Sequence, residues 1–264
     1  MAGTKSKTRQ RLGVLKMKRN FIIITVLILF LAAFLAYGYL IPQSQVFGKV
    51  YYKASPQKKV VALTFDDGPS EPYTSEILDV LKKRNVTATF FIIGSNAEIY
   101  QNTLKRIVAE GHVIGDHTYS HLEPHAITTQ GCHDAVRAQA AIYNITGLKT
   151  KLYRPPFGRK TPWEINCIKK HGMNEIMWTT PRLLIGHQTE FGTDSSDAIA
   201  NTIINKAKPG DILLLHDSFG TCHDTALCSK EKVVRATEKV VTSLQEQGYT
   251  FVTIPELLSI PAYG

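Results

Sequence analysis

Two adjacent carboxylates, Asp66 and Asp67, stand in TFDDGP directly behind the apolar run VVAL and precede Gly68-Pro69. Side chains alternate across a strand and like charges repel, so paired acids there do nothing for packing. His117 and His121 stand four apart in DHTYSH, Arg154 in RPPFG and His216 in ILLLHD. One carboxylate and two imidazoles make a three-ligand site for a divalent ion, with further positions open for water or substrate. Hydrolysis on such a site also needs a base to activate a water, and that base has to lie beside the ligands. The two aspartates can divide those tasks. At i, i+4 the histidines are expected to share one side of a single helical turn. That spacing alone is weak evidence, because nine histidines in 264 residues produce it by chance. Taken singly, Arg154 reads as a surface ion pair and His216 as a satisfied core histidine.

The elements that must position these groups give the pattern its weight. Strand candidates are 60–66, 87–94, 112–118, 151–157, 175–180, 211–217 and 249–254, each a short run rich in apolar, β-branched and aromatic residues. Helix candidates lie between them, starting near Thr74, Asn96, Ser195 and Lys230, and several close on glycine (Gly111, Gly147, Gly172, Gly248). Strict alternation of strand and helix implies an α/β fold with parallel strands and outer helices. Seven strands in one run suit an open doubly wound sheet or an incomplete barrel. In both, chemistry collects at the carboxyl ends of strands, and four separate strand ends here carry the ionisable groups.

The net charge of +9 has a local origin, since residues 1–20 hold seven Lys and Arg and no acid. The rest is nearly neutral, which excludes nucleic acid as a partner. Residues 21–40 (FIIITVLILFLAAFLAYGYL) carry no charge and are long enough to span the ~30 Å hydrocarbon core. A cleaved signal peptide has a shorter apolar region, roughly 7–15 residues, and a small-x-small site, whereas the stretch after Ala36 is bulky. The expected organisation is a basic cytoplasmic tail (1–20), a single-pass signal anchor (21–40), a linker (41–57) and an extracytoplasmic domain (58–264), with secretion after signal cleavage as the alternative. Cys222 and Cys228 bracket CHDTALC and either close a surface loop or remain free thiols, and Cys132 and Cys167 carry no pairing signal.

Taken together and in order, TFDDGP, HTYSH, RPPFG and ILLLH over roughly residues 58–258 resemble the polysaccharide deacetylases of the NodB-homology type, carbohydrate esterase family 4. The resemblance implies a distorted (β/α)7-type barrel and metal-dependent removal of acetyl groups from sugars, with zinc first and cobalt or nickel next. Carried onto this chain, it makes Asp66 the base, Asp67, His117 and His121 the metal ligands, Arg154 the residue orienting the base, and His216 the general acid. The backbone N–H of Phe157 would help bind the oxyanion, and Leu214 and Trp178 would border the substrate. A carboxylate such as Asp217 would keep His216 protonated. The stretch after Trp178 departs from the family, with Thr180, Pro181 and Leu184 where acids are expected and Glu190 or Asp194 as substitutes. The implied substrate is peptidoglycan N-acetylglucosamine, with chitin or exopolysaccharide as alternatives and a non-catalytic glycan-binding protein as the rival from another class.

Overall fold

The computed structural model describes every residue except 1, 57, 123–129, 180–194, 223 and 225–227, and gives backbone alone for 2–12 and 14. All seven expected strands form, as β1 (Val60–Asp66), β2 (Thr89–Ile92), β3 (Val113–Asp116), β4 (Leu152–Tyr153), β5 (Asn174–Glu175), β6 (Ile212–His216) and β7 (Thr250–Phe251). The helices are α1 (Ala2–Leu40), α2 (Tyr73–Lys83), α3 (Gly94–Ile99), α4 (Gln101–Ala109), α5 (Gln130–Thr146), α6 (Pro162–Lys170), α7 (Ser196–Ile204), α8 (Glu231–Glu246) and α9 (Ile254–Leu258). The strands run in the order β5-β4-β3-β2-β1-β6, all parallel, with β7 beside β1. This is an incomplete barrel, and the doubly wound alternative is set aside. The single helix expected from Asn96 is two helices broken at Tyr100 (φ −109°, ψ 49°), and Asn96 lies inside the first of them.

Side-chain alternation sorts the barrel into two apolar layers. Val61, Leu63 and Phe65 of β1, Phe90 and Ile92 of β2, and Leu213 and Leu215 of β6 pack outward with residues of α2, α4, α7 and α8. Ala62, Phe91, Ile212 and Leu214 pack inward with Trp178 and Val50. Slipping β1 by one residue would exchange its two faces, driving Val61, Leu63 and Phe65 into the barrel interior and setting Thr64 and the Asp66 carboxylate against the apolar helices without partners. The packing of the outer layer therefore fixes Asp66, at the inward parity, to the barrel interior.

Between β5 and β6 the gap is spanned without a regular strand pair. Thr179 donates its N–H to the Ile212 carbonyl (3.0 Å) and accepts the Ile212 N–H on its hydroxyl (2.7 Å). The stretch expected as a linker contributes here as well. Tyr51 bridges Ile176 and Lys53 bridges Asp211, so residues 51–53 lie against both edges of the gap. Further back, the Lys160 ammonium donates to the Ile41 and Pro42 carbonyls (2.7 and 2.9 Å), and Gln43 donates to the Trp178 carbonyl (2.8 Å). Those carbonyls lie just beyond the last turn of α1, where a cation is favoured by the helix dipole. Residues 41–53 are thus a strap packed onto the barrel. Within α1, the segment Leu15–Leu40 is long and apolar enough to cross a membrane, and it is exposed from Phe21 to Tyr37.

Candidate active site

Asp66 is the last residue of β1, and Asp67 leaves the strand with φ 80°. A regular strand would have sent the second carboxylate to the outer face, and the left-handed turn keeps both at the rim. The Gly68–Pro69 peptide is cis, and a Cβ on Gly68 would overlap the Asp217 carboxylate. The Asp67 carbonyl accepts from Asn96 Nδ2 (2.7 Å), and its Oδ2 accepts the Gly220 N–H (3.0 Å). Its Oδ1 is buried without a well-aligned donor, 3.4 Å from His117 Nε2 and 3.3 Å from His121 Nε2.

His117 and His121 do not share a helical turn, because no helix forms there and both Thr118 (φ 64°) and His121 (φ 52°) are left-handed. This loop brings the two rings to 5.0 Å by another route, and Asp134 holds it by accepting the Tyr119 N–H (3.1 Å), the Ser120 N–H (2.9 Å) and the Ser120 hydroxyl (2.8 Å). Nδ1 of His117 is 2.7 Å from the Arg154 carbonyl. A carbonyl only accepts, so that nitrogen carries the proton and Nε2 of the neutral ring presents a lone pair to Asp67 Oδ1. Two acceptors facing each other at this range are satisfied by a proton or a cation between them. The ligand atoms of Asp67, His117 and His121 all lie within 4.8 Å of one another, and one oxygen with two nitrogens is a donor set for a zinc-like ion. Although burial opposes it, the Asp67 carboxyl is held well below its ordinary range by the neighbouring His117, His121 and His216. Burial pushes His121 down, while at His117 the pull of Asp66 and Asp67 outweighs burial and raises it.

Arg154 is fully buried, which replaces the surface ion pair expected of it alone. Its Nη1 donates to Asp66 Oδ1 (2.6 Å) and Thr64 Oγ1 (2.9 Å), its Nε to the Ile176 carbonyl (3.2 Å) and its Nη2 to the Met177 carbonyl (3.4 Å). The guanidinium stacks 3.9 Å over Phe91 and lies 5.7 Å from the Trp178 ring. Asp66 is thereby fixed through one oxygen while Oδ2 faces the histidines, 3.9 Å from His117 Nε2. Asp66 pairs in register with His216 and Thr64 with Leu214, so these residues share the interior parity of neighbouring strands.

The strand expected through 151–157 stops at Tyr153, and Phe157 adopts φ 59° with its ring 4.8 Å from that of His121. Gly158 follows at φ 66°, and a Cβ there would meet Trp178 at 2.6 Å and Pro42 at 2.8 Å. Asp217, the carboxylate expected to support His216, is buried. Its Oδ2 accepts from Thr74 Oγ1 (2.6 Å), and burial together with Asp67 and Asp66 pushes its carboxyl up to about 7. Thr180, Pro181, Leu184, Glu190 and Asp194 lie outside the described residues. The sequence assigned no site role to Thr64, Asn96, Asp134 or Gly220, whose hydrogen bonds hold Arg154, Asp67 and the histidine loop in place. Both cysteine pairs are disulfides, Cys222–Cys228 and Cys132–Cys167, and the first lies close to Gly220.

Residues 53–176 match the family model for polysaccharide deacetylase. A peptidoglycan-N-acetylglucosamine deacetylase of Bacillus cereus is 34% identical over 218 residues, covering 82% of this chain and 74% of that one. The peptidoglycan-N-acetylmuramic acid deacetylase PdaA of Bacillus subtilis is 31% identical, with 79% and 74% covered. The crystal structure of the Bc1960 peptidoglycan N-acetylglucosamine deacetylase superposes with a TM-score of 0.72 at 31% identity, over 81% of this chain and 95% of that one. With the parallel half-barrel and the convergent rim already in place, these likenesses establish that the chain belongs to the polysaccharide deacetylase family of the NodB-homology type and is an enzyme of that family.

Proposed function

We propose that this chain is a membrane-anchored, metal-dependent deacetylase that removes N-acetyl groups from peptidoglycan N-acetylglucosamine outside the cytoplasm. The observation that carries the reading is the juxtaposition of Asp67 Oδ1 with His117 Nε2 and His121 Nε2, beside an Asp66 carboxylate clamped by Arg154. Asp67, His117 and His121 would hold the ion, which when bound would polarise an acetyl carbonyl and lower the pKa of a water. Asp66 takes the proton from the attacking water through the oxygen that faces the histidines. Arg154 keeps that carboxylate oriented, and its own buried hydrogen bonds hold it still. The Phe157 N–H contributes to binding the oxyanion, a type of stabilisation worth about 3–4 kcal/mol per donor. His216, on the strand next to Asp66, protonates the departing amine. Leu214 and Trp178 border the acetyl group.

The apolar segment Leu15–Leu40 supports anchoring, and two disulfides suit an oxidising compartment outside the cytoplasm. Likeness to deacetylases of both N-acetylglucosamine and N-acetylmuramic acid supports peptidoglycan as the polymer, and the glucosamine assignment follows the more similar of the two relatives described. The test is acetate release from isolated cell wall and from N-acetylglucosamine oligomers, with and without chelator. Chelator-sensitive release is expected. No acetate from any acetylated glycan by metal-loaded protein would overturn the reading, and release only from muramic acid residues would move the substrate.

A further inference from the structure

The exit point of the apolar helix and the catalytic rim lie on the same end of the barrel. From Phe21 to Tyr37 every residue of α1 is exposed, and Gly38 is the first to bury, its Cα side closing on the Phe47 ring. Pro42, four residues later, packs on Gly158 in the loop that leaves the carboxyl end of β4. A chain of contacts leads from there to the site. The Arg159 guanidinium lies 5.9 Å from the Tyr39 ring and 5.6 Å from the Phe157 ring, and Phe157 lies 4.8 Å from His121. Three steps, each under 6 Å, therefore separate the last turn of the apolar helix from a histidine of the candidate metal site. Lys160, bonded to the Ile41 and Pro42 carbonyls, makes this a fixed joint.

Exposed apolar side chains stand on this same end. Leu122 follows His121 and is 66% exposed, Phe219 precedes Gly220 and is 45% exposed, and Trp163 opens α6 at the rim and is 50% exposed. Large apolar and aromatic groups beside a spanning helix are the residues that seat at a membrane–water boundary, where tyrosines such as Tyr37 and Tyr39 also belong.

We propose that the carboxyl rim of the barrel faces the outer leaflet, with Leu122, Phe219 and Trp163 at the boundary, so that the site receives N-acetylated sugars of a glycan still tethered to the bilayer through a lipid. This rests on the anchored-deacetylase reading above and specifies where on the glycan it acts. A joint without slack keeps the site at the height of the bilayer surface. Sugars near the lipid end are then within reach, while those far out along a strand are not.

The experiment uses full-length, metal-loaded protein in vesicles, with an N-acetylglucosamine oligomer attached to a lipid or left free. Acetate release and the position of each deacetylated sugar are read by mass spectrometry. The tethered oligomer is expected to react at least ~10-fold faster than the free one at equal bulk concentration, and its lipid-proximal sugars first. In vesicles with brominated acyl chains, Trp163 emission is expected to be quenched. The chain has two tryptophans and Trp178 is buried, so Trp163→Phe identifies the quenched share. Trp163→Glu is expected to slow the tethered substrate several-fold, leaving the free oligomer and the melting temperature unchanged. Lipid-distal sugars reacting first, or no quenching of Trp163, overturns the orientation. No acetate from either oligomer overturns the deacetylase reading instead, and loss of residues 1–40 from the protein recovered from cells overturns the anchor.

Discussion

Asp66→Asn separates the two neighbouring aspartates more cleanly than any other single change. Asp67 Oδ1 lies 3.3–3.4 Å from both histidine Nε2 atoms, whereas Asp66 Oδ2 stands further back, 3.9 Å from that of His117. The substitution should therefore leave metal binding intact and remove the base. A positioned general base contributes roughly 10²–10⁴-fold, or about 3–5 kcal/mol of barrier, and kcat should fall by that factor with KM little changed. Stability should also respond, because Arg154 is fully buried and Asp66 is its ionic partner. Removing one member of a buried pair typically costs about 3–5 kcal/mol. Here the asparagine oxygen can still accept from Nη1, and Thr64, Ile176 and Met177 keep accepting from the guanidinium. A loss of about 1–3 kcal/mol is the expected remainder, comparable to one hydrogen bond to a charged group. The assays are acetate release, metal content after dialysis, and denaturant unfolding followed with and without metal. Turnover within threefold of the unsubstituted enzyme would refute the base assignment. Loss of metal together with activity would refute the division of labour and make Asp66 a ligand.

His121→Ala should lose both metal and turnover while its melting temperature without metal moves little, since the ring is partly exposed; retention of stoichiometric metal would refute its place in the site. Burial raises the Glu164 carboxyl to about 7, so the folded state takes up a proton and stability should fall as pH rises from about 4.5 to 7. Glu164→Gln, whose side-chain oxygen can still accept from the Tyr153 hydroxyl, should flatten that fall and stabilise the protein at pH 8 by on the order of 2–3 kcal/mol, as read from unfolding at several pH values. Removing the Cys132–Cys167 bridge should cost about 2–4 kcal/mol with turnover preserved, whereas removing Cys222–Cys228, which spans a separation of only 6, should cost less stability and more activity because Gly220 beside it donates to Asp67. Equal effects of the two on turnover would argue against a role for the smaller loop in holding Asp67.

What was legible in the chain had a physical signature of its own. β1, β2 and β6 are buried on both faces, and such strands read as continuous apolar runs, so their existence and their polar ends were visible. The roles of Asp66, Asp67, His117, His121 and Arg154 were suggested by the resemblance, and their convergence follows from a parallel sheet that puts all its carboxyl ends on one rim. The local geometry was less legible. Left-handed residues at Asp67, Thr118, His121 and Phe157 are non-glycine, and nothing in their side chains announces the turn. Asn96 looked like a helix cap because asparagine commonly is one, yet its amide is spent on the Asp67 and Gly220 carbonyls. The pairing of Cys132 with Cys167 depends on the approach of α5 to α6, a tertiary fact that cysteine spacing does not encode. Lys160 and Glu164 would ordinarily be assigned to the surface, yet Lys160 is buried against the carbonyls of the strap and Glu164 against the Tyr153 hydroxyl.

The strap also parts the unit defined by relatedness from the unit that folds. The family match begins at residue 53, and the first expected strand at residue 60, so either boundary suggests that a soluble enzyme starts there. Yet Val50 fills the inner layer, Tyr51 completes the edge of β5, and Ile41, Pro42 and Gln43 hold Lys160, Gly158 and Trp178 from the outside. A recombinant enzyme begun at residue 58 would therefore be missing one wall, and one begun at residue 38 would keep it. The last turn of the apolar helix is as much the first residue block of the barrel as it is the end of the apolar segment.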